Sequence, residues 1–420
     1  MERYSSYKDS GISWIGKIPE HWEVCRMKRV FSEAKEKTTT ESETLLSLSQ
    51  YTGITLKDDA KKVGMFEAES TIGYNVVHPG QFVMNIMLAW NGSYAVSDYE
   101  GIISPSYCVF NFNEDCEKKY FHYLLRLPAY AGAFKTMSKG IIESRLRLYP
   151  VYFLAFKTII PPLNEQQSIV AYIEEKTSKI DAYVVDKEKE LRLLNELKET
   201  EIANVVTQGL NHNVKMKDSG IPWIGMIPEH WEMVKLKVYC KENKEKNRNN
   251  QESTVLSLSY GNVIVKQDLN AGLLPENYDS YQIVNPGYII LRLTDLQNDH
   301  KSLRTGLVKN RGIITNAYVG LIVEKINPAY TRFLLHSYDL KKLFYSMGGG
   351  LRQSMSYKDV ANLMICVPPL SEQRAIVEHI ENKCNKVNSL ISELEAEIEY
   401  LKEYKQRLIA DCVTGQINVQ

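Results

Sequence analysis

The sequence predicts an α+β protein: two similar mixed α/β globules separated by two long helices that form an antiparallel intramolecular coiled coil, a pseudo-two-fold tandem repeat. Three observations predict it. First, Lys8 to Glu23 reads KDSGISWIGKIPEHWE and returns at Lys217 to Glu232 as KDSGIPWIGMIPEHWE, fourteen of sixteen positions identical at an offset of 209. Second, PPLNEQQSIVAYIEEK from Pro161 returns from Pro368 as PPLSEQRAIVEHIENK, at an offset of 207. Third, no Gly or Pro occurs from Leu163 to Gln208 or from Leu370 to Thr414. A repeat of this length fixes the architecture before any single element is assigned.

In chain order the predicted parts are a globule at 1–160, a spacer helix at 161–210, a second globule at 211–367 and a second spacer helix at 368–420. Each globule is rich in Tyr, Val, Ile and Gly. Short apolar runs at Phe82 to Met84, Tyr107 to Phe110, Tyr288 to Leu293 and Tyr318 to Val323 read as strands. Helices are expected around Tyr120 to Leu127 and Tyr330 to Leu340. TLLSLS at Thr44 answers TVLSLS at Thr254, and the turn His78-Pro79-Gly80 answers Asn285-Pro286-Gly287.

Each long helix follows a Pro-Pro pair, with Asn164 or Ser371 placed as N-cap and Gly209 or Gly415 as left-handed C-cap. Alternating steps of four and three give one seam through Val170, Ile173, Ile180, Val184, Leu191, Leu194 and Val205. The other runs through Val377, Ile380, Cys384, Val387, Ile391, Leu394, Ile398, Leu401, Leu408 and Cys412. These are heptad seams on helices about 65 Å long, and each needs a partner. The simpler reading, an amphipathic helix lying on a globular core, accounts less well for two such seams in one chain.

A chain of 420 residues calls for two or three domains, and 44% apolar with 24% charged residues is the composition of a core-forming protein. The longest apolar run, Val151 to Phe156, is far short of a membrane helix, and the N-terminus lacks the pattern of a secretory signal. Seven scattered cysteines, with no CxxC pair, argue against a disulfide framework or a zinc site and for a cytoplasmic protein. Lys+Arg and Asp+Glu balance at 51 each, yet the two globules carry net +1 and +6 while the two helices carry −4 and −3. Zero total charge therefore leaves DNA open as a partner.

The order globule, PPLxEQ, long helix, given twice and each time opened by IPEHW, resembles the specificity (S) subunit of a Type I restriction–modification system over the whole chain. The resemblance implies that each globule is a target-recognition domain for one half of a bipartite site in double-stranded DNA. It implies that the helices form a spacer and docking surface for two methyltransferase (M) subunits, with restriction (R) subunits joining the larger complex. It also implies no catalysis and no cofactor on this chain, S-adenosylmethionine and ATP belonging to the partner subunits. The middles of the copies differ, Asn91 to Pro105 having no match in Thr294 to Asn316, so the two half-sites should differ too.

Base reading needs Arg, Lys, Asn and Gln in loops, where they match purine edges. The candidates are Asn91, Lys139, Arg145 and Arg147 in the first copy. In the second they are Arg292, Gln297, Asn298, Lys301, Arg304, Lys309, Arg311, Arg352 and Gln353. Any one of them could instead contact phosphate or simply be solvated. Trp22 and Trp231 of IPEHW read as packing at the domain edge, and Glu165 and Glu372 as first-turn carboxylates favoured by the helix dipole.

Two rival readings remain. One is a self-sufficient DNA methyltransferase or nuclease. Ser104-Pro105-Ser106-Tyr107 approaches the loop that holds the target amine in amino-methyltransferases, but it lacks the second proline. No FxGxG accompanies it, Gly348-Gly349-Gly350 is not followed by Lys-Ser/Thr, and no HExxH occurs. The other rival is a coiled-coil scaffold that binds no DNA.

Overall fold

The computed structural model describes residues 2–57, 70–113, 116–142, 145–266, 277–296, 303–347 and 354–419. They form two compact units, Met1–Asp186 with Glu397–Gln420, and Lys187–Ala396. Both divisions between these units, after Asp186 and after Ala396, fall inside the two long helices.

The first globule is built on an antiparallel sheet whose strands lie in the order Phe31–Ala34, Tyr107–Phe112, Phe82–Asn85, Tyr94–Val96. A hairpin (Leu46–Ser49 with Gly53–Leu56) and the pair Asn75–Val77 with Gly101–Ile103 flank it. Helices α1 (Lys118–Leu125), α2 (Pro128–Met137) and α3 (Pro150–Ala155) cover one face. Glu23–Arg26 pairs with Lys157–Ile160, so the globule closes where it opened. From Ile160 the chain enters α4 (Leu163–Gln208).

The second globule repeats the plan. Its sheet runs Cys240–Glu242, Val319–Val323, Ile289–Leu291, Thr305–Leu307. The hairpin is Leu256–Ser259 with Asn262–Val265, the flanking pair Gln282–Val284 with Gly312–Ile314, and the closing pair Glu232–Lys235 with Met364–Val367. Helices α5 (Pro328–Leu340), α6 (Leu343–Met347) and α7 (Tyr357–Val360) precede α8 (Leu370–Val413). The strands and helices expected from the repeat are therefore all present. The core differs in chemistry: Phe31, Phe82, Phe110, Phe121 and Phe153 fill the first, where Phe82 and Phe153 stack at 5.6 Å, whereas Ile289, Leu291, Leu321 and Leu334 fill the second.

The two repeated motifs are halves of one lock. Trp22 is fully buried and donates its indole N–H to Glu165 Oε2 at 2.9 Å, while His21 Nε2 lies 2.5 Å from Oε1. Trp231 donates to Glu372 Oε2 at 3.0 Å, and His230 Nε2 lies 2.7 Å from Oε1. The neighbouring glutamines complete it. Gln166 donates to the Pro161 carbonyl and accepts from the Glu117 backbone N–H at the start of α1; Gln373 does the same with Pro368 and Asn327 at the start of α5. Each long helix starts before the N-cap expected for it. The Pro162 carbonyl accepts from Glu165 and Gln166, and the Pro369 carbonyl from Gln373, because a proline presets the first helical turn and has no N–H to leave unpaired. Asn164 and Ser371 thus lie inside the first turn.

The helix ends are held by the opposite copy. In the first unit Tyr120 donates to the carbonyl of Val413, at the end of α8, at 2.9 Å. In the second, Tyr330 donates to the carbonyl of Val206, at the end of α4, at 3.0 Å. Gly415 and Gly209 have φ of 72° and 77°, the left-handed caps expected. A Cβ at Gly415 would lie 2.4 Å from Pro19 Cδ, and one at Gly209 3.1 Å from Trp231, so the caps also seat the helix ends against the tryptophan edge.

Within each unit the helices run antiparallel. In the first, Asp181 pairs with Lys405 at 2.6 Å and Tyr183 donates to Glu397; in the second, Lys198 donates to Asn388 and Glu201 pairs with His379 at 2.8 Å. The predicted seam of α8 is buried at Ile380, Leu394, Ile398 and Leu408 and half-buried at Val377, Val387, Ile391 and Leu401. That of α4 is buried at Val170, Ile173 and Val184 and half-buried at Ile180, Leu191 and Leu194. The heptad frame of α4 changes in its last turns, where Ile202 and Val206 join Val205 in burial; there the helix packs on the second globule rather than on α8 alone.

Unequal burial of the two locks leads to a prediction. The Glu165 side chain is 6% exposed and that of Glu372 41%. Glu165→Ala strands a buried indole N–H and should cost about 2–3 kcal/mol, and Glu372→Ala about 1 kcal/mol. Chemical unfolding of the two variants measures the difference, and equal losses contradict the lock as drawn.

Helix α5 generates a second prediction. Burial lowers the His336 pKa to about 4 and raises that of Asp339 to about 6. Between pH 6.5 and 4 the unfolded chain protonates His336 and the folded one does not, so acid destabilises. Between pH 6 and 3.8 the folded chain protonates Asp339 and the unfolded one does not, so acid stabilises; the Asp339 contribution is lost as pH rises through 6. The two are opposite and similar, each about 3 kcal/mol at most. In the wild type they should nearly cancel. His336→Leu should gain stability between pH 6.5 and 4.5, and Asp339→Asn should lose it, as read from urea midpoints at the two pH values.

Candidate nucleic-acid interface

In each globule one loop joins the two sheet strands that end side by side, and its ends are fixed by the same main-chain bonds. In the first copy Asn85 N–H donates to Ser93 O at 2.9 Å and Leu148 N–H to Ile86 O at 2.9 Å. In the second, Arg292 N–H donates to Arg304 O at 2.9 Å and Met355 N–H to Leu293 O at 2.8 Å. The same pair of bonds frames both loops, but seven residues (86–92) span the first and eleven (293–303) the second. The middles that share no sequence therefore lie on one scaffold and differ in loop length.

The structure brings the first-copy candidates together. Asn91 is exposed at the end of a short turn, Ala89–Asn91. Trp90 in that turn lies under Lys135 Nζ, 5.5 Å from the ring centroid. Beside it Lys139 and Arg147 form an antiparallel bridge, each N–H donating to the other's carbonyl at 2.9 Å. Lys139 and Arg145 are exposed and Arg147 is half-buried; Lys139 Nζ also sits 5.1 Å from the Tyr152 ring. Three cations and an amide thus share one end of the globule.

The second-copy candidates are more scattered. Lys309 is exposed on the wall of a groove of about 840 Å³ that Tyr260, Lys198 and Arg332 also line. Arg311 is exposed but engaged, donating to Asn285 Oδ1 at 2.8 Å and lying 3.4 Å from Glu252. Arg292 is half-buried at the loop's start. Arg304 departs from the expectation of a solvent-facing base reader: it is fully buried, and its guanidinium donates to main-chain carbonyls. The sequence shows only a cation in a polar stretch, and burial becomes visible once the loop is closed over it. Gln297, Asn298, Lys301, Arg352 and Gln353 lie outside the described residues.

Sequence reasoning missed a matched pair. Arg126 donates to the carbonyl of Gln50 at 2.6 Å, and Arg332 to that of Gly261 at 3.3 Å, each tying the hairpin tip to the first helix after the sheet. The tips carry Tyr51 and Tyr260, both 83% exposed. Copy one has His122 and Arg126, and copy two Arg332 and His336. The order is reversed, but four residues apart on a helix is the same face, so the guanidinium reaches the same hairpin from either place. Identity alignment hides this exchange.

Other motifs are ordinary. Tyr107 N–H donates to Ser104 O at 3.0 Å and Tyr318 N–H to Thr315 O at 3.1 Å, turns that lead into strands as expected. Among the described residues no group of three His, Cys, Asp or Glu could hold a metal, and no helix is long and apolar enough to cross a membrane.

Residues 228–400, from the second IPEHW to well into α8, match the family model "Type I restriction modification DNA specificity domain". The chain is 25% identical to the type I restriction enzyme MjaVIII specificity subunit of Methanocaldococcus jannaschii, over 96% of this chain and 95% of that protein. Its fold is similar to a chain from a structure solved for complex assembly and conformational transition of the type I R–M system (TM-score 0.70, 15% identity, 95% and 99% of the two chains). It is also similar to the HsdS subunit from Thermoanaerobacter tengcongensis (TM-score 0.52, 16% identity, 95% and 98%). With the duplicated lock and paired helices in place, the chain is similar over nearly its whole length to Type I restriction–modification specificity (S) subunits, and its second copy matches their DNA specificity domain.

Proposed function

We propose that this chain is the DNA sequence-recognition subunit of a Type I restriction–modification complex. Its two globules read the two halves of an asymmetric bipartite site, and its helices scaffold the other subunits. The observation that carries this reading is one sheet frame used twice with connecting loops of seven and eleven residues. Equal scaffolds bring equal partners to each copy, and unequal loops present different side chains to the bases. The partners are two methyltransferase subunits and the restriction subunits. S-adenosylmethionine and ATP act there, this chain has no catalysis of its own, and it works in the cytoplasm. The absence of cofactor and catalytic motifs from the sequence supports the non-enzymatic role, and the similarity to specificity subunits supports the assembly. Asn91, Lys139, Arg145 and Arg147 contact DNA in the first half; Arg292, Lys309 and Arg311, with Gln297, Asn298, Lys301, Arg352 and Gln353, do so in the second.

Three outcomes test it. Replacing residues 30–150 with the equivalent segment of a relative should change one half of the methylated sequence only, as read by methylation sequencing of a host carrying the complex; a change in both halves or neither contradicts the two-module reading. Binding should also depend on the methyltransferase. With 51 positive and 51 negative residues the chain has little counterion release to draw on, so alone it should bind its site far more weakly than nanomolar at physiological salt. The purified chain should transfer no methyl group from labelled S-adenosylmethionine.

A further inference from the structure

The position occupied by Ser93 in the first copy is occupied by Arg304 in the second, since the same main-chain bond closes both loops. Ser93 is small, buried and closes the shorter loop. Arg304 is fully buried and closes a loop four residues longer. Its Nη1 donates to Thr294 O at 2.7 Å and Arg292 O at 3.4 Å, its Nη2 to Asp295 O at 3.3 Å, and its Nε to the Tyr345 hydroxyl at 3.3 Å. The guanidinium also lies 5.2 Å from the centre of the Tyr345 ring, and the Arg304 N–H donates to Asp339 Oδ2 at 2.5 Å. One side chain thus gathers three carbonyls from four residues of loop main chain, including that of Asp295, whose φ of 57° is a left-handed conformation that a non-glycine residue holds only when its surroundings enforce it.

A buried, charged fork spent on carbonyls makes geometry more than it makes stability, because its desolvation offsets much of the hydrogen-bond gain. A serine there could not reach these carbonyls. We infer that Arg304 is a positioning residue for half-site recognition by the second globule: it touches no base and fixes the main chain from which Arg292 and its neighbours approach DNA. This rests on the reading that the globule recognises DNA, and it adds where the discrimination of one half-site is built.

The test uses the full chain in its complete complex in a host cell. Methylation sequencing scores each half-site separately, and a melting curve of the purified complex reports folding. For Arg304→Ala we expect methylation of sites altered in the second half-site to rise about tenfold relative to the intact sequence, with discrimination in the first half unchanged. Arg304→Lys, which keeps the charge but has no planar fork, should show a smaller rise at the same half only. If Arg304→Ala does not fold, Arg304→Lys carries the test by the same criterion. A folded variant with wild-type discrimination in both halves overturns the inference. So does equal relaxation of both halves, which marks a general loss of stability. Loss of all sequence dependence in the wild-type complex would instead refute the DNA-recognition reading itself.

Discussion

Two carboxylates, Glu165 and Glu372, hold the architecture together. Each sits in the first turn of a helix of more than forty residues and takes the indole N–H and the imidazole of one Trp-His pair from the turn that leads into the globule's closing strand, Glu23–Arg26 or Glu232–Lys235. A long helix leaving a small globule has a lever arm, and a single flexible joint there would leave its direction undefined. The carboxylate fixes the start, the glutamine beside it fixes the rotation by binding the first globule helix, and the prolines before both remove the conformations that would compete.

The lock has a second face. The tryptophan that donates to the start of one helix also lies against the glycine that ends the other, Trp22 beside Gly415 and Trp231 beside Gly209. Each globule therefore stands at a junction of an outgoing helix from its own copy and an incoming one from the other copy. This explains why the compact units divide both helices in their middles and why the buried tyrosines Tyr120 and Tyr330 reach carbonyls nearly three hundred and more than one hundred residues away. It also explains why the repeat keeps IPEHW and PPLxEQ nearly letter for letter while its cores drift from phenylalanine to leucine and isoleucine. A core accepts apolar exchange of similar volume; a buried bond between a carboxylate and an indole has no such substitute.

Much of this was legible in the sequence. The duplication, the helix lengths, the glycine caps and the seam of α8 follow from identity, from the absence of Gly and Pro, and from period. The end of α4 was not, since Ile202 and Val206 answer to a globule surface that no heptad encodes. The N-caps were misplaced by two residues because Asn and Ser are good caps in isolation and Pro-Pro overrides them. At the candidate interface the sequence could name polar side chains in loops, but it could not separate Arg145, which is exposed, from Arg304, which is buried. That separation depends on which carbonyls the folded loop turns inward.

The same contrast shows how such a scaffold can change what it recognises. The bonds that close this loop, Asn85 to Ser93 and Arg292 to Arg304, run through main chain and so are indifferent to side-chain identity. Sequence can then vary freely between them, and length can vary if something fills the added space and satisfies the added carbonyls. In the second copy one guanidinium takes up the carbonyls of Arg292, Thr294 and Asp295. The hairpin beside it follows the same logic, since Arg126 and Arg332 hold it through carbonyls from different helix positions. Main-chain anchoring separates what must persist, the frame, from what must differ, the side chains facing the partner. Two copies of one frame can therefore diverge in their loops without either losing its fold.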